Sequence, residues 1–134
     1  MVTHFKQIRD NIGKGFGQIK YPPDVFTYTS LVDSYVLNYF NSKSYVKSAS
    51  KIDAYNSPIS QYAYRIAFRV KPNTDFFHFV YQLSNGTWAG KNGIGDSINF
   101  GNVNPSTVPN TSLMWELDLY PPSAGTSYFA VEFY

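Results

Sequence analysis

Residues 62–88 decide the fold: Tyr62-Ala63-Tyr64-Arg65-Ile66-Ala67-Phe68-Arg69-Val70, then Phe76-Phe77-His78-Phe79-Val80-Tyr81-Gln82-Leu83, then Ser84-Asn85-Gly86-Thr87-Trp88. In the first run Tyr62, Tyr64, Ile66, Phe68 and Val70 alternate with Ala63, Arg65, Ala67 and Arg69, the period-two pattern of a half-buried strand. Lys71-Pro72-Asn73-Thr74 turns the chain. The second run puts Phe77, Phe79, Tyr81 and Leu83 on one face, with His78, Val80 and Gln82 on the other. Asn85-Gly86 is the strongest hairpin signal, because a type I′ turn needs positive φ at both central residues. Such a turn sets Leu83 opposite Trp88 on the same face.

Downstream, residues 92–112 are rich in Gly, Asn, Ser and Pro and read mostly as loop. Leu113, Trp115, Leu117 and Leu119 then alternate with Met114, Glu116, Asp118 and Tyr120, which predicts another strand. Pro121-Pro122-Ser123-Ala124-Gly125 turns into a last strand, Tyr128 to Tyr134. Upstream, Val32, Tyr35, Val36, Tyr39 and Phe40 form one apolar helical face. Ser30 and Asp33 resemble a capping box at its start, and residues 41–44 end it. Phe5, Ile8 and Ile12 predict a shorter helix from Thr3 to Ile12, stopped by Gly13. We therefore expect one domain over residues 1–134, of the α+β class. Helices come first, followed by an antiparallel β-sheet of about five strands with helical cover on one side.

Composition narrows the chemistry. The 134 residues hold twelve Tyr, eleven Phe and two Trp, so 19% are aromatic, while only 15% are charged. A net charge of +2 is too small and too scattered to predict nucleic-acid binding. There are no cysteines, which excludes disulfides, thiolate metal sites and a cysteine nucleophile in this chain. No apolar run approaches the length of a membrane-spanning helix. Met1-Val2-Thr3-His4-Phe5-Lys6 lacks the apolar stretch of a signal peptide, so any such segment is expected to have been removed or never to have existed.

Several residues invite a chemical role, each beside a structural one. His78 lies on the second face of the second expected strand, where a histidine serves as a general base or as a hydrogen-bonded structural group. Scattered carboxylates and two histidines show no metal-ligand spacing, so no metal or other cofactor is expected. Gly13-Lys14-Gly15-Phe16-Gly17 follows a helix-like segment and lacks the ending of a phosphate loop, which makes it a connector. No Gly-x-Ser-x-Gly elbow accompanies His78. The aromatics exceed what one small core needs. Tyr45, Tyr55, Tyr62, Tyr64, Tyr81, Trp88 and Tyr120 offer flat surfaces among Asn, Gln and Ser, a combination that suits sugar rings. A packed core with tyrosines at its rim uses the same residues. Low charge with many amides and hydroxyls fits an extracellular or cell-surface location, and two glycosylation sequons, at Asn85 and Asn110, occur.

The residues Tyr64-Arg65-Ile66-Ala67-Phe68-Arg69-Val70, Asp75-Phe76-Phe77-His78-Phe79 and Gln82-Leu83-Ser84-Asn85-Gly86-Thr87-Trp88-Ala89-Gly90-Lys91 resemble a pattern in secreted bacterial proteins of papain-like or NlpC-like hydrolase type. Val32 to Phe40 and Ile52 to Ser57 fit the same arrangement. The resemblance implies a helix-then-sheet fold in which His78 matches the strand histidine and Trp88 the hairpin tryptophan. It also implies a cysteine on an N-terminal helix start, and Thr3-His4-Phe5-Lys6-Gln7-Ile8 contains none; the hairpin histidine is replaced by Gly90. Without a thiolate, a base on this strand has nothing to activate. The expected function is thus a non-catalytic binding domain for a carbohydrate or cell-envelope polymer, with His78, Tyr81, Gln82 and Trp88 lining the remaining groove and Tyr55 and Tyr62 contributing rings. The alternatives are an incomplete or altered cysteine amidase or peptidase using His78 as base, and a protein-interaction module.

Overall fold

A computed structural model describes residues 12, 16, 19, 25–71, 74, 77–91, 97–108, 113–115 and 125–134. The helix expected at Thr3 to Ile12, apart from Ile12 itself, lies outside the described residues, as do Asp75, Phe76, Tyr120 and the rest of 116–124. The architecture is α+β. Among the described residues one long helix, α1 (Val25–Asn41), precedes six strands: β1 (Val46–Ile52), β2 (Tyr64–Val70), β3 (Phe77–Gln82), β4 (Trp88–Lys91), β5 (Ser97–Gly101) and β6 (Ser127–Phe133). They form one antiparallel sheet in the order β1-β6-β2-β3-β4-β5.

The helix begins earlier than its capping signal predicts. Tyr28, Val32, Val36 and Phe40 recur every four residues and are all buried, so Tyr28 extends the apolar stripe one turn toward the N-terminus. Ser30 is consequently inside α1 and exposed. Asp33 is buried and pairs with Lys51 of β1, Nζ to Oδ2 at 2.7 Å, tying the helix to the sheet.

Beneath α1 the sheet contributes Ile66, Phe68 and Val70 from β2, Phe79 from β3, and Phe129 and Val131 from β6. Phe68 is the hub: its ring meets Phe79 at 5.2 Å, Phe129 at 5.9 Å, Phe77 at 6.2 Å and Phe40 at 6.3 Å. Offset and edge-on contacts of this kind add to the burial of each ring. Ile12 and Phe16 complete the same core.

Three expectations about the strands are corrected. Among the described residues the sheet has six strands where about five were expected. Both unanticipated strands, β1 and β5, are the sheet's two edges. β1 shows little alternation because most of it faces solvent and its register slips between Val46 and Ser48. Leu113–Trp115 is a 3-10 turn, not the start of a strand, and its Trp115 is buried against the sheet's second face.

The hairpin also differs. Leu83 donates its N–H to Thr87 O at 2.7 Å and accepts from Gly86 N at 2.9 Å, which leaves a three-residue loop, Ser84 to Gly86, with only Gly86 required to take positive φ (88°). Asn85 Oδ1 accepts from Thr87 N and braces the loop. The extra residue moves the register by one: Trp88 pairs with Gln82, not Leu83. A shift of one exchanges faces. Trp88 is therefore fully buried on the second face, while Leu83 is 36% exposed.

That second face has its own small core of Ala67, Val80, Trp88, Met114, Trp115 and Tyr128. Its floor is made of small residues, which leaves room for the two indoles. At Gly90 an added Cβ would lie 3.1 Å from Val80 Cγ1, so a larger residue is resisted there. The cover is the irregular segment 103–108 with the 3-10 turn.

Candidate functional site

Two places on this frame carry chemistry. The first is an open cleft of about 340 Å³ where β1 and β2 begin and β6 ends, lined by Lys47, Tyr62, Tyr64, Glu132, Phe133 and Tyr134. Tyr62 is 67% exposed and Tyr134 80% exposed, so two rings face solvent. Tyr64 and Phe133 lie deeper, their centroids 6.1 Å apart. Tyr45 stacks on the same Phe133 ring at 6.4 Å, and Tyr134 N donates to Tyr45 O at 3.2 Å, which fixes Tyr134 beside the cleft. Lys47 Nζ and Glu132 Oε1 lie 3.6 Å apart at the rim and supply both a cation and an acceptor next to the rings.

The second is a polar band on the sheet face away from α1. Cross-strand pairing sets Arg69 beside His78, and both are buried. Trp115 covers them: the Arg69 guanidinium lies 4.1 Å from its ring and the His78 ring meets it edge-on at 6.0 Å. Arg69 Nε donates to Thr126 Oγ1 at 2.9 Å, and Nη2 reaches Pro105 O and Val108 O at 3.3 and 3.5 Å. Trp115 Nε1 donates to the same Pro105 carbonyl at 3.0 Å. Burial lowers the Arg69 pKa to about 10. Burial also pushes the Tyr128 phenol up, against a hydroxyl contact with Ser106 that lowers it. One row along, Arg65 gives Nε and Nη2 to Ser57 O at 3.2 and 2.7 Å and Nη1 to Gln82 Oε1 at 2.8 Å. Gln82 Nε2 in turn donates to Gly86 O at 3.1 Å.

The residues singled out from the sequence do not share one groove. His78, Gln82 and Trp88 take the second face, whereas Tyr81 takes the α1 face, where it packs at the edge of the first core. His78 is buried under Trp115, Gln82 is occupied by Arg65 and Gly86, and Trp88 is enclosed. Tyr55 packs against the second core. Of the expected groove residues Tyr62 lines the open cleft, joined by Tyr64 from the wider set of aromatics. Glu132 and Tyr134 are legible only as part of the last strand and Lys47 only as polar chain; the pairing of β1 with β6 brings them together. Among the described residues, no group of three or more His, Cys, Asp or Glu is placed to hold a metal ion. No described helix is long and apolar enough to cross a membrane. Set against family models, curated proteins and solved structures, the chain matches none.

Proposed function

We propose that this chain is a non-catalytic extracellular binding domain of papain-like hydrolase type, whose ligand is a carbohydrate or a cell-envelope polymer. The observation that carries this reading is the aromatic cleft: Tyr62 and Tyr134 exposed beside Tyr64 and Phe133, with Lys47 and Glu132 at the rim. A pyranose has an apolar face and a polar edge, and this cleft offers rings for one and a charged pair for the other. Its volume falls at the small end of ligand clefts, about 300–1,000 Å³. Large exposed aromatics grouped in one concavity are costly to leave in water, which favours a ligand over chance placement.

The non-catalytic part rests on two facts. The chain has no cysteine, and His78 is buried behind Trp115 on the face opposite α1, where a substrate proton would have to pass the indole to reach it. Low charge and abundant amides and hydroxyls support the extracellular assignment.

The test is a glycan array extended with soluble peptidoglycan fragments, followed by calorimetric titration of the best ligand into wild type, Tyr62→Ala and Tyr134→Ala. Loss of an anchoring ring is expected to weaken binding about tenfold or more. No binding on the array, or binding of equal strength in both variants, would remove the sugar reading for this cleft.

A further inference from the structure

Arg69 is a buried cation whose charge no described group neutralises. It is 4% exposed. The ion pairs formed among the described residues, Lys47 with Glu132 and Lys51 with Asp33, leave it out. Its three acceptors, the Thr126 hydroxyl and the carbonyls of Pro105 and Val108, are all neutral, and the two carbonyl contacts are long. A guanidinium carries five N–H donors in a planar fork. Nη1, one arm of that fork, is buried and has no hydrogen-bond partner among the described residues. Burying a charge without a counter-charge is expensive, and leaving a buried donor unmade adds to the cost.

We propose that Arg69 is the anchor of a second ligand site, independent of the aromatic cleft, which takes a compact oxyanion, either a carboxylate group or an inorganic phosphate or sulfate, beneath the segment 103–108. The chemistry follows from the fork. A planar guanidinium with one arm open binds an oxyanion through charge-assisted hydrogen bonds. Trp115 lies over the guanidinium and shields the pair from water, which strengthens it. The cover over Arg69 is irregular backbone, so it opens at lower cost than a strand or helix would. Arg65, by contrast, already spends its fork on Ser57 O and Gln82 Oε1 and is no rival anchor.

The experiment titrates sodium acetate, sodium phosphate and sodium sulfate separately into the whole chain, with chloride holding ionic strength constant. Thermal unfolding and tryptophan fluorescence are followed, the latter because Trp115 touches the guanidinium. A saturable rise in Tm of about 5 °C at roughly ten times the Kd is expected for at least one anion, together with a fluorescence change of the same midpoint. Acetate alone acting identifies the ligand as a carboxylate; phosphate or sulfate acting identifies a tetrahedral oxyanion. Arg69→Met should abolish both responses and Arg65→Met should keep them. If Arg69→Met does not fold, Arg69→Lys replaces it, with affinity expected to fall tenfold or more because the planar fork is gone. No anion raising Tm above the chloride control, or an unchanged response in a folded Arg69 variant, overturns the proposal.

Discussion

Beneath α1 the sheet presents Ile66, Phe68, Val70, Phe79, Phe129 and Val131, whereas the opposite face interleaves Ala67, Val80 and Trp88 with Arg65, Arg69, His78 and Gln82. The first face is covered by a regular element and held by ring against ring. The second is covered by irregular chain and held by side-chain donors reaching loop carbonyls: Arg65 to Ser57, Arg69 to Pro105 and Val108, Trp115 to Pro105. Apolar packing is non-directional and fits a helix stripe, but a loop carries backbone carbonyls that must be satisfied once buried. Polar residues on a strand face are thus explained here by the cover they support. That difference separates the residues that hold the molecule together by packing from those that hold it by hydrogen bonds.

The largest expected effect lies on the α1 face. Phe68→Ala should cost about 3–5 kcal/mol in a urea melt, since it removes the ring shared by four others. A loss under about 1 kcal/mol would mean that the hub is not where the stability resides. On the second face, Arg65→Met keeps much of the side-chain volume but strands Ser57 O, and the expected cost is about 1–3 kcal/mol. Equal costs for the two changes would erase the distinction between the faces.

Gly86→Ala tests the turn that assigns Trp88 to its face. A side chain at φ 88° should cost roughly 1–2 kcal/mol, read as a lower midpoint with unchanged slope. A neutral result would indicate that the loop relaxes to another turn type, and the pairing of Gln82 with Trp88 should then be re-examined by amide exchange. The smallest effect belongs to Tyr62→Ala, expected within about 0.5 kcal/mol of wild type because the ring is mostly in solvent.

The same contrast between centre and rim explains what could be read from sequence. The central strands β2, β3 and β6 were legible because both of their faces are specified, one by large apolar residues and one by alternating polar or small ones. The edge strands β1 and β5 were not, because a strand paired on one side and wet on much of its surface has little pattern to keep: Val-Lys-Ser-Ala-Ser-Lys-Ile reads as polar chain. Trp115 reads from the sequence as part of a strand, since alternation over a few residues also fits a 3-10 turn that buries Met114 and Trp115. The hairpin is legible in Asn85-Gly86, but its loop is one residue longer than the two that this pair signals, which is enough to send Trp88 to the other side. Within the candidate cleft only Tyr62 and Tyr64 were visible as exposed or rim tyrosines. Lys47, Glu132 and Tyr134 join them through the pairing of β1 with β6, a contact between distant parts of the chain that no local pattern announces.

The central claim is that recognition of the carbohydrate or cell-envelope polymer belongs to the open aromatic cleft, through the exposed Tyr62 ring. It is tested most directly by calorimetric titration of the best array ligand into Tyr62→Ala beside wild type, with the thermal midpoint of each recorded in the same buffer. The expected result is an unchanged midpoint with affinity reduced about tenfold or more. Wild-type affinity retained by a folded Tyr62→Ala protein would contradict it.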